Sequence, residues 1–261
     1  MARFRGEKGG PSLLFILVVL VLVAVVGAKY FGFAPGSRQT RPEAPPTEET
    51  PEPEPAYPAV VIYHTHGTEN YSPADAHSRE ETGQIVEVGA AIAKALEAQG
   101  IRAIHITELH DYPKYGEAYS NSAQSVQRVL DTGIEVGAVI DIHRDGLPPR
   151  PPGFTTARIG ERDVAKILFV VGDENNPHTE ANLDYAEQLR DLLEEQYPGL
   201  ARGIKVQHIN RNGHLDPHSA TIFIGDYRGN TLEEALAAAE LLADVIAAQL
   251  KAQAQGTMAF W

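Results

Sequence analysis

The chain contains no cysteine among its 261 residues. Disulfide bonds, thiolate metal sites and a cysteine nucleophile are therefore excluded, and any bound metal must be held by the 10 histidines and by carboxylates. Positive charge is also scarce, because 22 Lys and Arg face 35 Asp and Glu and leave a formal net charge of -13. A surface this acidic repels phosphate backbones, so nucleic acid is not expected as a partner.

A long apolar run lies close to the N-terminus. Residues 11–33 include the uncharged stretch LLFILVVLVLVAVVGA and carry Lys29 as their only charge. About 20 apolar residues are enough for a helix to cross a bilayer. The basic residues within 1–10 predict that this end is cytoplasmic and that the rest lies outside the cell membrane. A cleaved signal peptide is the alternative, with a weak cleavage site at 26–28.

Residues 34–58 are rich in proline and glutamate and read APGSRQTRPEAPPTEETPEPEPAYP. A segment of this composition cannot build a core and is expected to be an extended, polyproline-like linker. Together with the preceding segment, it predicts a single-pass membrane protein whose globular domain is held at a distance outside the membrane. The cell wall is the natural target of such an arrangement.

From residue 59 onward, apolar runs of strand type alternate with amphipathic helical patterns. This alternation predicts an α/β fold over residues 59–250, with a mostly parallel twisted sheet flanked by helices, and a tail at 251–261. The expected strands are 59–63, 101–106, 137–142, 164–171, 204–209 and 220–224, and the expected helices are 84–99, 120–131, 182–196 and 232–250.

The first polar motif follows the first expected strand and has the form H-x-H-x-x-E. If the backbone stays extended there, His64 and His66 point to the same side and Glu69 can return on the next turn. Two imidazoles and one carboxylate are the ligands of a catalytic zinc that keeps one position open. The alternative is that the two histidines only cap loop backbone.

Two further polar motifs follow later strands, where ligands bind in open α/β sheets. Asp141 and His143 share one side of their strand, so His143 is a candidate third metal ligand and Asp141 a candidate partner for an imidazole. Arg144 is suited to binding a carboxylate or a developing oxyanion, or else pairs with a neighbouring Asp. Asn175 and Asn176 are suited to recognising peptide or sugar groups, although plain turn chemistry explains them equally well.

Five segments resemble the stage II sporulation protein P family of endospore-forming bacteria. This resemblance implies a zinc-dependent peptidoglycan hydrolase that is related in fold to N-acetylmuramoyl-L-alanine amidases and also has endopeptidase activity. It implies action in septal wall thinning and forespore engulfment, together with the stage II sporulation proteins D and M. By position, His66 and His143 are the strongest zinc ligands, followed by Glu69 and His64. The segments are VVIYHTHGTENYSP (60–73), HDYPKYGEAYSNS (110–122), VIDIHRDG (139–146), VVGDENNPHTEANLDYAEQLRDLL (170–193) and GNTLEEALAAAELLADVIA (229–247).

The chain departs from this family on its last strand, where members usually carry a glutamate. Phe223 or Ile224 stands at that position. A general base is needed to activate water and to protonate the leaving amine, and Asp226 and Glu69 are the candidates. The start of the last helix adds Asn230 as a candidate substrate-binding residue.

Two other functions stay open from the sequence. Without a base, the domain would be a catalytically weak module that binds peptidoglycan or serves in assembly. An unrelated metallohydrolase is the other reading, but an amidohydrolase barrel needs about 250 residues, and the metallo-β-lactamase pattern requires an Asp-His pair that does not follow His66 here.

Overall fold

The computed structural model describes residues 17, 19–22 and 57–258. Residues 17 and 19–22 are helical, while most of the expected anchor at 11–33 and of the linker at 34–58 lies outside the described residues. Within the described part of the chain, no helix is both long enough and apolar enough to cross a membrane.

The globular region contains eight strands and four α-helices. The strands are β1 (Ala59–Tyr63), β2 (Ala103–His105), β3 (Val136–Asp145), β4 (Thr156–Ile159), β5 (Arg162–Ala165), β6 (Ile167–Gly172), β7 (Ala201–Gln207) and β8 (Ser219–Asp226). The helices are α1 (Gln84–Glu97), α2 (Ala118–Leu130), α3 (Thr179–Gln196) and α4 (Leu232–Met258).

Six strands form one sheet in the order β2-β1-β3-β8-β6-β7. All neighbouring pairs are parallel except β6 and β8, which are antiparallel. The prediction of a mostly parallel sheet flanked by helices is therefore confirmed. However, β6 and β7 run against the other four strands, so their carboxyl ends lie at the opposite edge of the sheet.

Alternation along the strands divides the buried residues between the two faces of the sheet. In β1, Val60 and Ile62 belong to the larger core, which the sheet forms with α1, α3 and α4. Val61 and Tyr63 point the other way, into a smaller core that includes Val126 of α2. By the same alternation, His143 of β3 lies on the face that α2 covers.

Two elements differ from the expected pattern. A β4–β5 hairpin, turned by Gly160 with a φ of 58°, occupies residues that include the start of the single strand expected at 164–171. A two-residue turn of this kind depends on a residue that tolerates positive φ. In addition, α4 continues to Met258, past residue 250, because residues 251–258 include Ala, Gln and Lys, which favour helices.

Candidate active site

Two histidines from separate segments meet at the edge of the sheet where β1 and β3 end. The ring centroids of His66 and His143 are 5.4 Å apart. His66 lies in the turn after β1, and His143 lies near the end of β3. Their side chains are largely removed from solvent, with exposed fractions of 12% for His66 and 1% for His143. The structure thus brings together the two residues that the sequence analysis ranks first as metal ligands.

Two carboxylates lie against the ring of His143. Its Nε2 lies 3.0 Å from Asp141 Oδ2, and its Nδ1 lies 3.4 Å from Glu69 Oε2. Asp141 is itself fixed by Thr65, whose backbone N–H and hydroxyl donate to it at 2.9 and 2.7 Å. Burial opposes a charge on His143, but the two carboxylates outweigh burial and raise the pKa of His143 to about 9. The two carboxylates therefore favour the protonated form of this imidazole.

His66 has a more apolar setting. Its ring stacks on that of Tyr115 with centroids 4.4 Å apart. The rings of His66 and Tyr119 meet edge to face, with centroids 5.7 Å apart. Burial, followed by the charge of His143, lowers the pKa of His66 to about 4. Its buried Nδ1 has no hydrogen-bond partner among the described residues and lies 3.8 Å from Asp111 Oδ2. His66 is therefore neutral at neutral pH, the form in which histidine binds metals.

Asp111 is a site residue that the sequence analysis does not single out. The hydroxyl of Thr68 donates to its Oδ2 at 2.6 Å, while its Oδ1 is buried with no partner among the described residues. Asp111 lies in the loop after β2, the strand next to β1. Its signal in the sequence is its place in the segment 110–122, which carries part of the family resemblance. An acidic residue there falls at the same edge of the sheet as His66.

Glu69 and Arg144 form one buried unit. Arg144 donates to Glu69 through its backbone N–H at 3.1 Å and through Nη1 at 3.2 Å. Burial favours the protonated form of Glu69, but His143 and Arg144 outweigh it and lower the pKa of this carboxyl. Arg144 also donates to the carbonyl oxygens of Asn70 and Ala76, and its Nη2 lies 3.3 Å from the Nε2 of His77. Arg144 is therefore engaged in positioning Glu69 and the loop after it, and its expected contact with substrate finds no support in these bonds.

His64 lies on the other face of the sheet from His66, which corrects the expectation that the two share a side. β1 ends at Tyr63 and residues 65–68 form a turn, so the extended backbone on which that expectation depends is absent. The Nδ1 of His64 lies 3.1 Å from the carbonyl oxygen of Ile142, and its Nε2 lies 2.9 Å from His105 Nε2. Burial, followed by His105, lowers the pKa of His64 to about 3. Both nitrogens are occupied, so His64 supports the strand ends behind the site.

Asp226 and Asn230 close a turn after β8. Asp226 Oδ1 accepts the backbone N–H of Leu147 at 2.7 Å, and its Oδ2 accepts those of Arg228 and Gly229. Asn230 Oδ1 accepts the N–H of Asp226, and its Nδ2 donates to the carbonyl oxygen of Thr155. These side chains are used in folding the turn. The structure does not bring either of them to the His66–His143 pair.

Asn175 and Asn176 lie at the opposite edge of the sheet from the two histidines. They follow β6, which runs antiparallel to β8. Asn176 donates to the carbonyl oxygen of Gly172 and to Asn182 Oδ1, while Asn175 is exposed with a φ of 53°. The expectation that they face the site assumes that all strands run in one direction, and the reversal of β6 overturns it.

Phe223 occupies the sheet position beside His143. The two residues are register partners in the β3–β8 ladder, and their rings stack with centroids 5.2 Å apart. Ile224 points into the larger core instead. Of the two residues that stand where the family's glutamate is expected, Phe223 is therefore the one that faces the site.

The donor atoms at the site determine whether it can hold zinc. Among the described residues, no set of three or more His, Asp or Glu side chains converges in metal-binding geometry. The 3.4 Å between His143 Nδ1 and Glu69 Oε2 equals about one edge of a tetrahedral zinc site with bonds of about 2.0 Å. The unpartnered nitrogen of His66 adds a second imidazole of the right kind. The residues fit zinc in donor chemistry and in this one pair of atoms.

Comparison with known proteins identifies the family of the chain. The family model of stage II sporulation protein P matches residues 34–247, and the chain belongs to that family. Stage II sporulation protein P of Bacillus subtilis strain 168 is 34% identical over 157 residues, which cover 56% of this chain and 38% of that protein. The chain thus matches less than half the length of this relative.

Two solved structures share a similar arrangement of the chain. The N-acetylmuramoyl-L-alanine amidase AmiC2 of Nostoc punctiforme is 17% identical, with a TM-score of 0.49, 76% of this chain covered and 97% of that chain. The CwlD amidase from Clostridioides difficile, in complex with the GerS lipoprotein, is 12% identical, with a TM-score of 0.45 and coverage of 72% and 94%.

Proposed function

We propose that the chain is a zinc-dependent peptidoglycan hydrolase of the N-acetylmuramoyl-L-alanine amidase type. It cleaves the amide between the lactyl group of muramic acid and the first alanine of the stem peptide, and it acts in septal wall thinning and forespore engulfment. The observation that carries the proposal is the meeting of His66 and His143, with Glu69 against His143, at one edge of the sheet. Membership of the stage II sporulation protein P family supports the substrate.

The side chains of the site divide into holding and proton-transfer roles. His66, His143 and Glu69 would hold zinc, which when bound supplies Lewis-acid polarisation of the scissile carbonyl. Asp141 fixes the ring of His143, and Arg144 fixes Glu69. The proton taken from the attacking water and delivered to the leaving amine needs a separate carboxylate.

Asp111 is the carboxylate best placed to carry that proton. Glu69 is tied to His143 and Arg144, and Asp226 is tied to backbone N–H groups. Asp111 alone of these three has a buried oxygen with no partner among the described residues. It also lies 3.8 Å from the ring nitrogen of His66. We therefore assign the proton-transfer role to Asp111.

The apolar segment at 11–33 and the linker at 34–58 complete the proposal. A single-pass anchor would keep the globular domain on the outer side of the membrane, and an extended linker would let it reach the wall. The stage II sporulation proteins D and M are the proposed partners at the septum. Crosslinking from a cysteine placed in the linker, in sporulating cells, tests whether the linker reaches the wall and whether the stage II sporulation proteins D and M are partners.

Release of stem peptides from purified sacculi tests the reaction. The wild-type chain is expected to release them, and the release is expected to stop with a chelator and in His66→Ala and His143→Ala. His208→Ala is the matched control, because its side chain is 83% exposed and lies outside the site. Unchanged zinc content in both site variants would contradict the assignment of the ligands.

A catalytically weak peptidoglycan-binding or assembly module is the second candidate function. The stacking of Phe223 on His143, where a carboxylate is expected, favours it. In that case the protein binds sacculi, with zinc present, and releases no soluble peptide. Measurement of binding and release on the same sacculus preparation separates the two candidates.

A further inference from the structure

Arg211 lies beside the candidate active site and has no acidic partner among the described residues. Its guanidinium carbon lies 5.3 Å from the ring centroid of Phe223 and 5.8 Å from that of Tyr119. Phe223 in turn stacks on His143, and Tyr119 contacts the ring of His66. The ring of Phe223 thus connects Arg211 with His143, and the ring of Tyr119 connects it with His66. Arg211, Phe223 and Tyr119 therefore form one wall of the candidate active site.

The bonds of Arg211 leave its charge uncompensated. Its Nε and Nη2 donate to Gln207 Oε1 at 3.1 and 2.6 Å, and its Nη1 donates to the hydroxyl of Tyr119. These acceptors are neutral, and in the described part of the chain no carboxylate pairs with this arginine. A guanidinium has five N–H donors, so one donor remains on each terminal nitrogen. The side chain is held in place while two donors and a full charge stay available.

The other arginines near the site differ in this respect. Arg144 pairs with Glu69, and Arg202 pairs with Asp145 at 2.9 Å. The site also contains the carboxylates of Asp111 and Asp141 in addition to Glu69, and the whole chain is acidic. An anionic ligand is repelled by such a surface. Arg211 is therefore the place on this wall where a negative group is attracted.

We propose that Arg211 binds a carboxylate of the stem peptide, one or two residues beyond the scissile amide. The inference rests on the proposed function for the identity of the ligand. Two extended residues span about 7 Å, and the guanidinium carbon of Arg211 and the ring centroid of His143 lie 5.3 and 5.2 Å from the centroid of the Phe223 ring between them. Because a planar fork matches a carboxylate with two hydrogen bonds, the site selects an acidic second residue over its amide.

Two synthetic ligands test this selectivity directly. The γ-methylamides of N-acetylmuramoyl-L-alanyl-D-glutamate and of N-acetylmuramoyl-L-alanyl-D-isoglutamine differ only in the α-carboxylate, which is an amide in the second, and neither carries another free carboxylate. Their dissociation constants for the full chain are measured by titration calorimetry, and the recovered ligands are checked for cleavage by mass spectrometry. The wild-type protein is expected to bind the glutamate form at least about tenfold more tightly, the size of a charge-assisted bidentate bond.

Arg211→Gln is expected to bind both ligands equally, with the affinity for isoglutamine close to that of wild type. Arg150→Gln is the matched control, because Arg150 lies over Phe154 at the same 5.3 Å and is expected to leave the selectivity unchanged. Arg211→Lys, which keeps the charge and loses the planar fork, is expected to retain part of the preference. It also serves if Arg211→Gln does not fold.

Three results would overturn the assignment: equal binding of the two ligands by the wild type, binding of neither, or an undiminished preference in Arg211→Gln. The outcome is separate from that of the cleavage assay. A protein that prefers the glutamate form through Arg211 but releases nothing from sacculi contradicts the proposed reaction and leaves the carboxylate site standing. A protein that cleaves sacculi but shows no preference for the glutamate form contradicts the carboxylate site and leaves the proposed reaction standing.

Discussion

Replacing His64 by glutamine tests whether a neutral histidine is buried behind the site. His64 is fully buried against His105 and the carbonyl oxygen of Ile142, and its pKa is lowered to about 3. In the unfolded chain its pKa is about 6.5. Between these two values the unfolded state binds a proton that the folded state does not, so stability falls as the pH drops below about 6.5.

The size of the effect follows from proton binding to the unfolded state. Lowering the pH from 7.5 to 5.5 carries the unfolded histidine from mostly neutral to mostly charged, which removes about 1 kcal/mol from the free energy of unfolding. His64→Gln has no such group. Relative to wild type, the variant is therefore expected to gain about 1 kcal/mol at pH 5.5 compared with pH 7.5.

Urea unfolding followed by circular dichroism, at both pH values and with a chelator present, measures this difference. Contributions of other groups, including the opposite one from His143, cancel when the variant is compared with wild type at each pH. His208→Gln, at an exposed histidine, is the matched control for the loss of an imidazole. If His64→Gln shifts stability by the same amount at both, the histidine is not held neutral in the fold and the reasoning is refuted.

Three more variants, one of them with a control variant, test the packing and the chemistry of the site. Gly89→Ala places a Cβ 2.5 Å from His64 Nε2 and is expected to lower the free energy of unfolding by about 1–3 kcal/mol. Gly256→Ala, whose Cβ enters open space, is expected to raise it by up to about 1 kcal/mol. Urea unfolding measures both changes, and stabilisation by both variants would contradict the prediction. Asp111→Asn is expected to slow stem-peptide release by about 100-fold or more with the zinc content unchanged, whereas loss of zinc would make Asp111 a ligand. Phe223→Glu is expected to speed release by supplying a carboxylate next to His143, and an unchanged rate would show that this carboxylate is not limiting.

Much of the fold could be predicted from the sequence because its signals are local. The run AVVIY of β1 and the helical spacing of α1 determine their own structure through burial and periodicity. The pairing of His66 with His143 was also predictable, because His66 follows β1 and His143 lies near the carboxyl end of the neighbouring parallel strand β3. The position of each histidine relative to the end of its strand was sufficient for this prediction.

The direction of β6 could not be predicted in this way. An apolar run is equally compatible with either direction in a sheet, and the reversal of β6 removed Asn175 and Asn176 from the site. The turn at 65–68 had a similar effect, because it separated His64 from His66 where continued extension was expected. Asp111 lies in a loop without periodicity, and its place in the segment 110–122 gives it no role, so its contacts in three dimensions are needed to assign it to the site.

The residues after β7 return to the site from the opposite direction to β1 and β3. Asn212 donates to the backbone and to a side chain of α2 and fastens this segment next to Arg211. The histidines, in contrast, depend on the ends of β1 and β3. A change in the length of the loop at 208–218 would thus move the arginine and leave the two imidazoles in place. The proposed preference for a carboxylate and the proposed hydrolysis could therefore vary independently, since the residues for each are anchored to a different half of the sheet.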